Sequence, residues 1–411
     1  MTDAEHEMKE IVLRDIEPIL SEKIDKDLVV ESFTNKLLLP PGENYGSTIM
    51  KVVVNLKNKK TGKEEELHLI AKMPPPTEFQ RKVFNSPRTF TKEIFMYESI
   101  MPAYNKLELE CGFRKNEVFD VLAKFYGSRL SLQADGEFDD NAVILMENLK
   151  VKGYYNGDRT KGYDLEHAEL AVKALARFHA LGMATKEKKP GMYEIFKMYA
   201  KALQAEGTAE DMFKVVLNTI QQDPEMSPHY ERCDKILSGF TLEKLWAEEV
   251  REPWSTIIHS DFWVNNIMFH RSEKGKIDDV KFVDFQIYLC ASPLRDLLFF
   301  VYSSVEPDVV DDQAENLFDL YYETMINVLT KMKCNTNVFS KEDFRAKLAE
   351  DAKNEFVHVS FMIKVLTLDV KDISDFNVDK LQSVMLEHCG NQLFVERLRK
   401  LVLNFVKHDW I

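Results

Sequence analysis

Thirteen residues, Ile257 to Phe269, and six more, Val280 to Phe285, constrain this chain more than any others. They read Ile-Ile-His-Ser-Asp-Phe-Trp-Val-Asn-Asn-Ile-Met-Phe and Val-Lys-Phe-Val-Asp-Phe. Two β-rich segments, Ile267 to His270 and Val280 to Val283, flank a turn-prone stretch that holds Ser272, Gly275 and Asp278. The pattern predicts a loop closed by a β-hairpin. With Met268 facing Phe282, antiparallel pairing sets Asn266 opposite Asp284, just below Asp261. An amide oxygen and a carboxylate that converge with open positions suit Mg²⁺ carrying the phosphates of a nucleotide.

His259, Asp261, Asn266 and Asp284 stand in the order His-x-Asp-x4-Asn, then Asp after a hairpin. This is the phosphoryl-transfer signature of the kinase superfamily. In that reading Asp261 accepts or orients the proton of a substrate hydroxyl, and Asn266 and Asp284 hold Mg²⁺. His259, two residues before Asp261, suits a structural hydrogen bond better than proton transfer. Other readings exist, because a lone His-x-Asp is common in surface turns, and His259, Asp261 and Asp284 are also types that bind Zn²⁺ for hydrolysis.

The upstream sequence favours the kinase order. Phe33 to Leu39 and Ile49 to Leu56 read as strands around a turn containing Gly42, Tyr45, Gly46 and Ser47. Its backbone amides can fold over a triphosphate, with Gly46 allowing close approach and Ser47 adding a hydroxyl. An ordinary hairpin has the same signature. The next strand, Leu67 to Met73, ends its apolar run at Lys72, which can neutralise phosphate oxygens if a carboxylate fixes its stem. A helix from Phe90 to Met101 buries Phe90, Ile94, Tyr97 and Met101 by its spacing. Glu93, beside that face, is the expected partner of Lys72; the alternatives are Glu98 in its place, or both glutamates as surface charges. Phe119 to Gly127 and Ala142 to Leu149 are two further strands. A nucleotide base near Met146, Glu147 and Leu149 would be read by backbone groups left unpaired where the strand leaves its sheet.

After Asn148 the period turns helical. We place a boundary there, with a nucleotide-binding N-terminal lobe over 1–148 and a catalytic, substrate-binding lobe over 149–411. The N-terminal lobe also carries an amphipathic helix from about Glu7 to Leu28, broken at Pro18. Asp164 can cap a helix reaching Met183, on which His179 reads as a hydrogen-bonded core histidine. Met192 to Leu245 stays helical with breaks near Gly207 and Pro224, and helices follow over 294–305, 314–329, 341–368 and 393–406. Asp296 either binds the backbone of the 259–266 loop or simply begins its helix. The expected fold is α+β, a small β-rich lobe and a larger, mostly helical one.

A chain of 411 residues is long for one core, in keeping with two lobes. Its net charge of −14 argues against general binding to nucleic acid or anionic membranes. Five scattered cysteines suit free thiols in a reducing compartment. The acidic N-terminus lacks the order of a signal peptide, and no apolar run suggests a membrane span, so a cytoplasmic protein is expected.

The stretch His259 to Phe269, with Trp263 inside the loop, and Pro293-Leu294-Arg295-Asp296-Leu297 closely resemble the ecdysteroid kinase-like family. Its relatives are the choline kinases and aminoglycoside phosphotransferases. The resemblance covers about Asn44 to Val305 and implies a protein-kinase-like fold and ATP-dependent phosphorylation of a small-molecule alcohol. A steroid hormone such as an ecdysteroid, or a xenobiotic conjugate, is the implied acceptor. In the family the glutamate of Lys-Glu-x-x-x-Tyr pairs with the lysine, which supports Glu93. Ser260 stands where these motifs often have glycine, and Gln286 where protein kinases have the glycine of Asp-Phe-Gly. Only eleven residues separate Asp284 from Asp296, which leaves no room for a peptide-docking activation segment. A protein substrate is therefore not expected. Trp263, Tyr288, Phe299, Phe300 and Tyr302 can offer apolar contacts to an acceptor or can simply fill the core. A catalytically silent nucleotide- or steroid-binding module is the alternative.

Overall fold

The computed structural model describes residues 11–38, 46–133, 136–202, 210–238, 240, 251–367 and 391–411. Alternating apolar side chains along β1 (Leu28–Leu37), β2 (Thr48–Asn58) and β3 (Glu64–Met73) build an antiparallel sheet. Two shorter strands, β4 (Phe125–Arg129) and β5 (Val143–Glu147), complete it in the order β1-β2-β3-β5-β4. Val52, Val54, Leu69, Ala71 and Leu145 are sealed in one cluster with Ile16, Ile19 and Leu20. The last two belong to α1 (Glu17–Lys23), so this short helix covers one face of the sheet. Each valine, leucine or isoleucine buried there contributes roughly 1.5–3 kcal/mol.

Two expectations about this region change. The helix expected from Glu7 begins only at Glu17, with Pro18 in its first turn, where a missing N–H leaves no bond unmade. Of its expected span, residues 7–10 lie outside the described residues. The strand expected over 119–127 is confined to its far end. Phe119 N–H donates to Glu108 Oε2 at 2.7 Å and Val121 accepts from Phe282 N–H at 2.7 Å, which draws that stretch away from the sheet. At Gly127, where the β4 register shifts, φ is +120° and an added Cβ would lie 2.5 Å from Ile19 Cγ2. Only glycine fits there.

After α2 (Glu78–Val83), the helix predicted over 90–101 is longer and has three parts. These are α3 (Ser86–Phe95), one π-helical turn (Met96–Ile100) and α4 (Met101–Glu110). Pro102 has no N–H to give the preceding turn, and a π turn absorbs the missing bond.

By packing, the described residues up to Glu98 and from Leu122 to Tyr155 form one unit. Those of 99–121 and from Asn156 onward form another, so the division is not a single cut at 148. The second unit is built on α5 (Leu165–Lys188), whose N-cap Asp164 accepts from His167 N–H at 3.1 Å. Then come α6 (Pro190–Tyr199), α7 (Glu210–Gln222), α8 (Tyr230–Leu237), α9 (Pro293–Ser304), α10 (Pro307–Lys331), α11 (Lys341–Thr367) and α12 (Gln392–Lys407). Ala168, Ala171, Val172 and Leu175 are buried on α5, and small side chains of this kind let a neighbour such as α10 pack closely along it. The architecture is α+β, a β-rich unit and a mostly helical one. No helix among the described residues is long and apolar enough to cross a membrane.

Candidate active site

Four short strands position the loop that the sequence singles out. β6 (Thr256–Ile258) pairs antiparallel with β9 (Leu289–Ala291), and β7 (Ile267–Arg271) pairs with β8 (Ile277–Phe282). The second pair is nested inside the first. Loops 259–266 and 283–288 each run from one pair to the other, so nesting sets them side by side.

The hairpin register differs by one residue from the expected one. Ile267, not Met268, faces Phe282, and Met268 faces Lys281. A one-residue slip would turn every side chain to the other face. The observed register sets Ile267 and Phe269 against Phe282 and Val280, all buried. Asn266 therefore meets Val283, whose N–H donates to the Asn266 carbonyl at 3.0 Å. Asp284 lies one residue further on, in a left-handed conformation with φ +68°. Its Oδ1 accepts from Gln286 Nε2 at 2.6 Å. Gln286, noted above only as a departure from protein kinases, thus orients the Asp284 carboxylate.

The 259–266 loop is held from several directions. Asp296, in the first turn of α9, accepts from His259 N–H at 2.7 Å and Ser260 N–H at 2.8 Å. Of its two expected roles, it therefore has the loop-binding one. His179, fully buried, meets the same carboxylate at 3.1 Å and the Tyr321 hydroxyl at 2.8 Å. Burial pushes the Asp296 carboxyl up, but His179, His259 and the donated N–H outweigh it and hold the group below the usual carboxylate range. His259 is also sealed. Its Nε2 donates to the Val283 carbonyl at 3.1 Å, and its Nδ1 accepts from Asp261 N–H at 3.3 Å. Burial lowers its pKa, against the opposing pull of Asp296, in keeping with a neutral ring that bridges the two loops. With both nitrogens engaged, it is not placed as a zinc ligand. Ser260 takes φ +69°, which explains why glycine suits that position.

Asp261 keeps part of its surface open. Asn266 Nδ2 donates to its Oδ2 at 2.8 Å and to its main-chain carbonyl at 2.9 Å. The Trp263 indole N–H acts on the same carboxylate without a geometrically complete hydrogen bond. Burial first, and the Asp284 carboxylate second, push the Asp261 pKa up to about 7. Asp261, Asn266 and Asp284 thus form one oxygen-rich group. Because Asn266 spends its Nδ2 on Asp261, Oδ1 is the atom it can offer a cation. An all-oxygen set with a carboxylate and an amide fits Mg²⁺ better than Zn²⁺. Among the described residues, no three His, Cys, Asp or Glu side chains are grouped to hold a metal alone.

A second feature lies within the β-rich unit. Lys72, on the central strand β3, points to the face opposite Ala71 and Met73. There its Nζ meets Glu93 Oε2 of α3 at 2.5 Å, with side chains 2% and 0% exposed. Glu98 is exposed, so Glu93 is the partner. Gly46 and Ser47 are buried at the start of β2, above a hairpin base where Leu38 N–H meets the Ile49 carbonyl at 2.9 Å. Tyr45 lies outside the described residues. At the end of β5 the expected unpaired amides are not found at 147 and 148. Glu147 N–H donates to Lys124 at 2.8 Å and Asn148 N–H to His68 at 3.2 Å. Met146 is buried in the sheet, the Glu147 side chain pairs with Lys152, and Leu149 begins a 3₁₀ turn capped by Asn148.

Sequence reasoning missed three supports of the loop. Tyr163 OH donates to the carbonyls of Val264 and Ile267, each at 3.0 Å. Asn156 Nδ2 reaches the Asn265 carbonyl at 2.9 Å, and Ser304 Oγ accepts from Val264 N–H at 3.0 Å. No local pattern marks them, since Tyr163 and Asn156 stand about a hundred residues from their targets. Of the five aromatics considered for the acceptor, Tyr288, Phe299, Phe300 and Tyr302 are buried in the core. Trp263 alone of the five keeps a part-open surface.

Comparison with curated proteins gives no match. Among solved structures, an amicoumacin kinase in complex with AMP-PNP, Ca²⁺ and Ami is 14% identical, with a TM-score of 0.40 over 89% of this chain and 87% of that one. An ethanolamine kinase of Plasmodium vivax is 12% identical, with a TM-score of 0.38 over 90% and 86%. A choline kinase of Cryptosporidium parvum is 10% identical, with a TM-score of 0.38 over 96% and 94%. The sequence model of the ecdysteroid kinase-like family matches residues 41–334, most of the chain and all the loop residues described above. This chain belongs to the ecdysteroid kinase-like family.

Proposed function

We propose that this protein is an ATP- and Mg²⁺-dependent small-molecule kinase that phosphorylates a hydroxyl group, with an ecdysteroid or another lipophilic alcohol as acceptor. The observation that carries the reading is the grouping of Asp261, Asn266 and Asp284 on two loops set side by side by nested hairpins. Asn266 holds Oδ2 of Asp261, so Oδ1 is the oxygen that takes the proton of the acceptor hydroxyl. That hydroxyl oxygen bonds to the γ-phosphorus as the bond to the β-phosphate oxygen breaks, giving a phosphate ester and ADP. A pKa near neutrality suits a group that must accept a proton and give it up again.

Asn266 Oδ1 and the Asp284 carboxylate are the proposed ligands of Mg²⁺, which when bound supplies positive charge to the phosphates. Gln286 keeps Asp284 oriented for that task. Lys72, fixed by Glu93, is the proposed contact to the α- and β-phosphates. Gly46, Ser47 and Tyr45 are proposed to cover the phosphates, and the segment Met146, Glu147 and Leu149 to meet the base. His259 holds the loop rather than moving a proton. The short interval from Asp284 to Asp296 supports a small-molecule acceptor over a protein.

The test is incubation with Mg·ATP and a panel of ecdysteroids and other lipophilic alcohols, with mass spectrometry of the acceptor. A gain of one phosphoryl group is expected. ATP binding without transfer to any member of a broad panel would instead make the protein a silent binding module.

A further inference from the structure

The proposed mechanism makes no use of a cavity of about 540 Å³ in the helical unit, lined chiefly by α12. Its volume lies within the range of roughly 300–1,000 Å³ found for small-molecule sites. Glu396, Arg399, Lys400, Leu403, Asn404 and Lys407 recur every three or four residues and so form one stripe of the helix. On its other side Phe394, Leu398, Leu401, Val402 and Phe405 are buried. The facing walls are Glu225, in the turn after α7, and Asp311 on α10. Ion pairs fix both walls to α12. Arg399 donates to Asp223 Oδ2 from Nη2 at 2.6 Å and from Nε at 3.0 Å, and Lys400 Nζ donates to Asp308 at 2.5 Å and Asp311 at 2.8 Å.

Asn404 stands within that stripe and is only 6% exposed. Its Oδ1 accepts from the hydroxyl of Tyr302, a buried residue of α9, at 2.7 Å. No hydrogen bond among the described residues takes its Nδ2. Because Oδ1 is turned to the core, Nδ2 is the atom that the amide brings to the cavity wall. A buried asparagine is costly in a helix unless its donors are used, and the bond to Tyr302 uses only the acceptor. The lining also defines the kind of partner. Arg399, Lys400 and Lys407 are balanced by Glu225, Asp311 and Glu396, so an ion would find no net charge on the walls to neutralise. Leu403 is the one apolar residue of the lining, so a lipophilic alcohol would leave these polar groups dry and unpaired. Carboxylates that accept stand beside cations that donate, and a hydroxyl group does both.

We propose that this cavity is a second ligand site, which binds a neutral polyhydroxylated small molecule, a sugar or a cyclic polyol. One oxygen of the ligand accepts from Asn404 Nδ2, and its other hydroxyls bridge neighbouring carboxylates and cations of the walls. The site goes beyond the phosphotransferase reading and does not rest on it.

The test is a saturation-transfer NMR titration of the full chain, without nucleotide, against free hexoses, pentoses and cyclic hexitols. Each is taken to about 50 mM, above the millimolar Kd that a few neutral hydrogen bonds support. Glycine and inorganic phosphate serve as the zwitterionic and anionic probes. At least one polyol should bind saturably. Asn404→Asp keeps an oxygen for the Tyr302 hydroxyl but loses the donor, and should raise the Kd of that polyol about 5- to 10-fold, the scale of one neutral hydrogen bond. Leu403→Trp fills the cavity without touching the Tyr302 bond and should abolish saturable binding. It carries the test if Asn404→Asp fails to fold. Three results would overturn the inference. One is a wild-type protein that binds no polyol. Another is an unchanged Kd in either folded variant, which would put the polyol elsewhere on the molecule. The last is binding of glycine or phosphate, and of no polyol, that Leu403→Trp removes. Binding is read here without phosphoryl transfer, so failure of this inference leaves the kinase reading standing, and a protein that phosphorylates no alcohol leaves this inference standing.

Discussion

Asp261 is held where a carboxylate is costly to ionise, since burial and Asp284 together raise its pKa to about 7. Unfolded, it would titrate near about 4. Between these values the folded protein binds a proton that the unfolded chain releases, so this group's stabilising contribution is complete below about pH 4 and is lost as pH rises through about 7. Asp261→Asn removes that loss while keeping the shape. In metal-free protein, the variant should therefore gain melting temperature relative to wild type as pH rises from about 4 to 7, with a constant gap above. A gap that does not change with pH would contradict the pKa and its cause. Ser260 carries a different strain, a left-handed backbone that a Cβ disfavours. Ser260→Gly should leave activity intact and change stability by no more than about 1 kcal/mol, because relief of that strain offsets the entropy glycine gains when unfolded. Ser260→Val should destabilise by more than that in the same denaturation experiment. Both residues could be singled out in the sequence, the first by its motif and the second by its departure from glycine. Their backbone conformations and pKa could not, because these depend on the neighbouring loop.

At the scale of elements, α9 holds the loop at two points, the Asp296 carboxylate and Ser304 Oγ. Asp296 accepts from His259 N–H, Ser260 N–H and His179, and an amide offers only one oxygen in its place. Asp296→Asn should cost about 1–3 kcal/mol for a buried donor left unsatisfied. It should also lower kcat more than it raises the KM for ATP, because the loop rather than the nucleotide contact is loosened. Chemical denaturation and steady-state kinetics check both, and an unaltered kcat would remove Asp296 from loop positioning. The element periods were legible: the 3.6-residue pattern gave the helices, and Asp164 marked the start of α5. Ladder register was less so. The sequence reading set Met268 opposite Phe282, whereas packing of Ile267 and Phe269 against the partner strand sets Ile267 there. The stretch 119–122 read as strand because Phe119, Val121 and Leu122 are apolar. It is drawn off by Glu108, on the preceding helix, and by Phe282, a partner distant in sequence that no local window contains.

At the scale of the molecule, the division into a β-rich and a helical unit followed from the change of period near Asn148. That residues 99–121 pack with the helical unit did not, because a continuous helical pattern from Phe90 carries no sign of where its packing partners change. The Lys72–Glu93 pair and the 259–284 loops were both expected from the sequence, the choice of Glu93 over Glu98 with the help of the family resemblance. The supports of the loop, Asn156, Tyr163 and Ser304, belong to tertiary packing alone. The central claim is that Asp261 receives a proton during transfer of a phosphoryl group from ATP to an alcohol. Its most direct test is the rate of phosphorylated-acceptor formation by wild type and Asp261→Asn at saturating Mg·ATP, with folding monitored alongside. The account predicts transfer by wild type and a loss of about 10²- to 10⁴-fold in the folded variant; equal rates in the two proteins would contradict it.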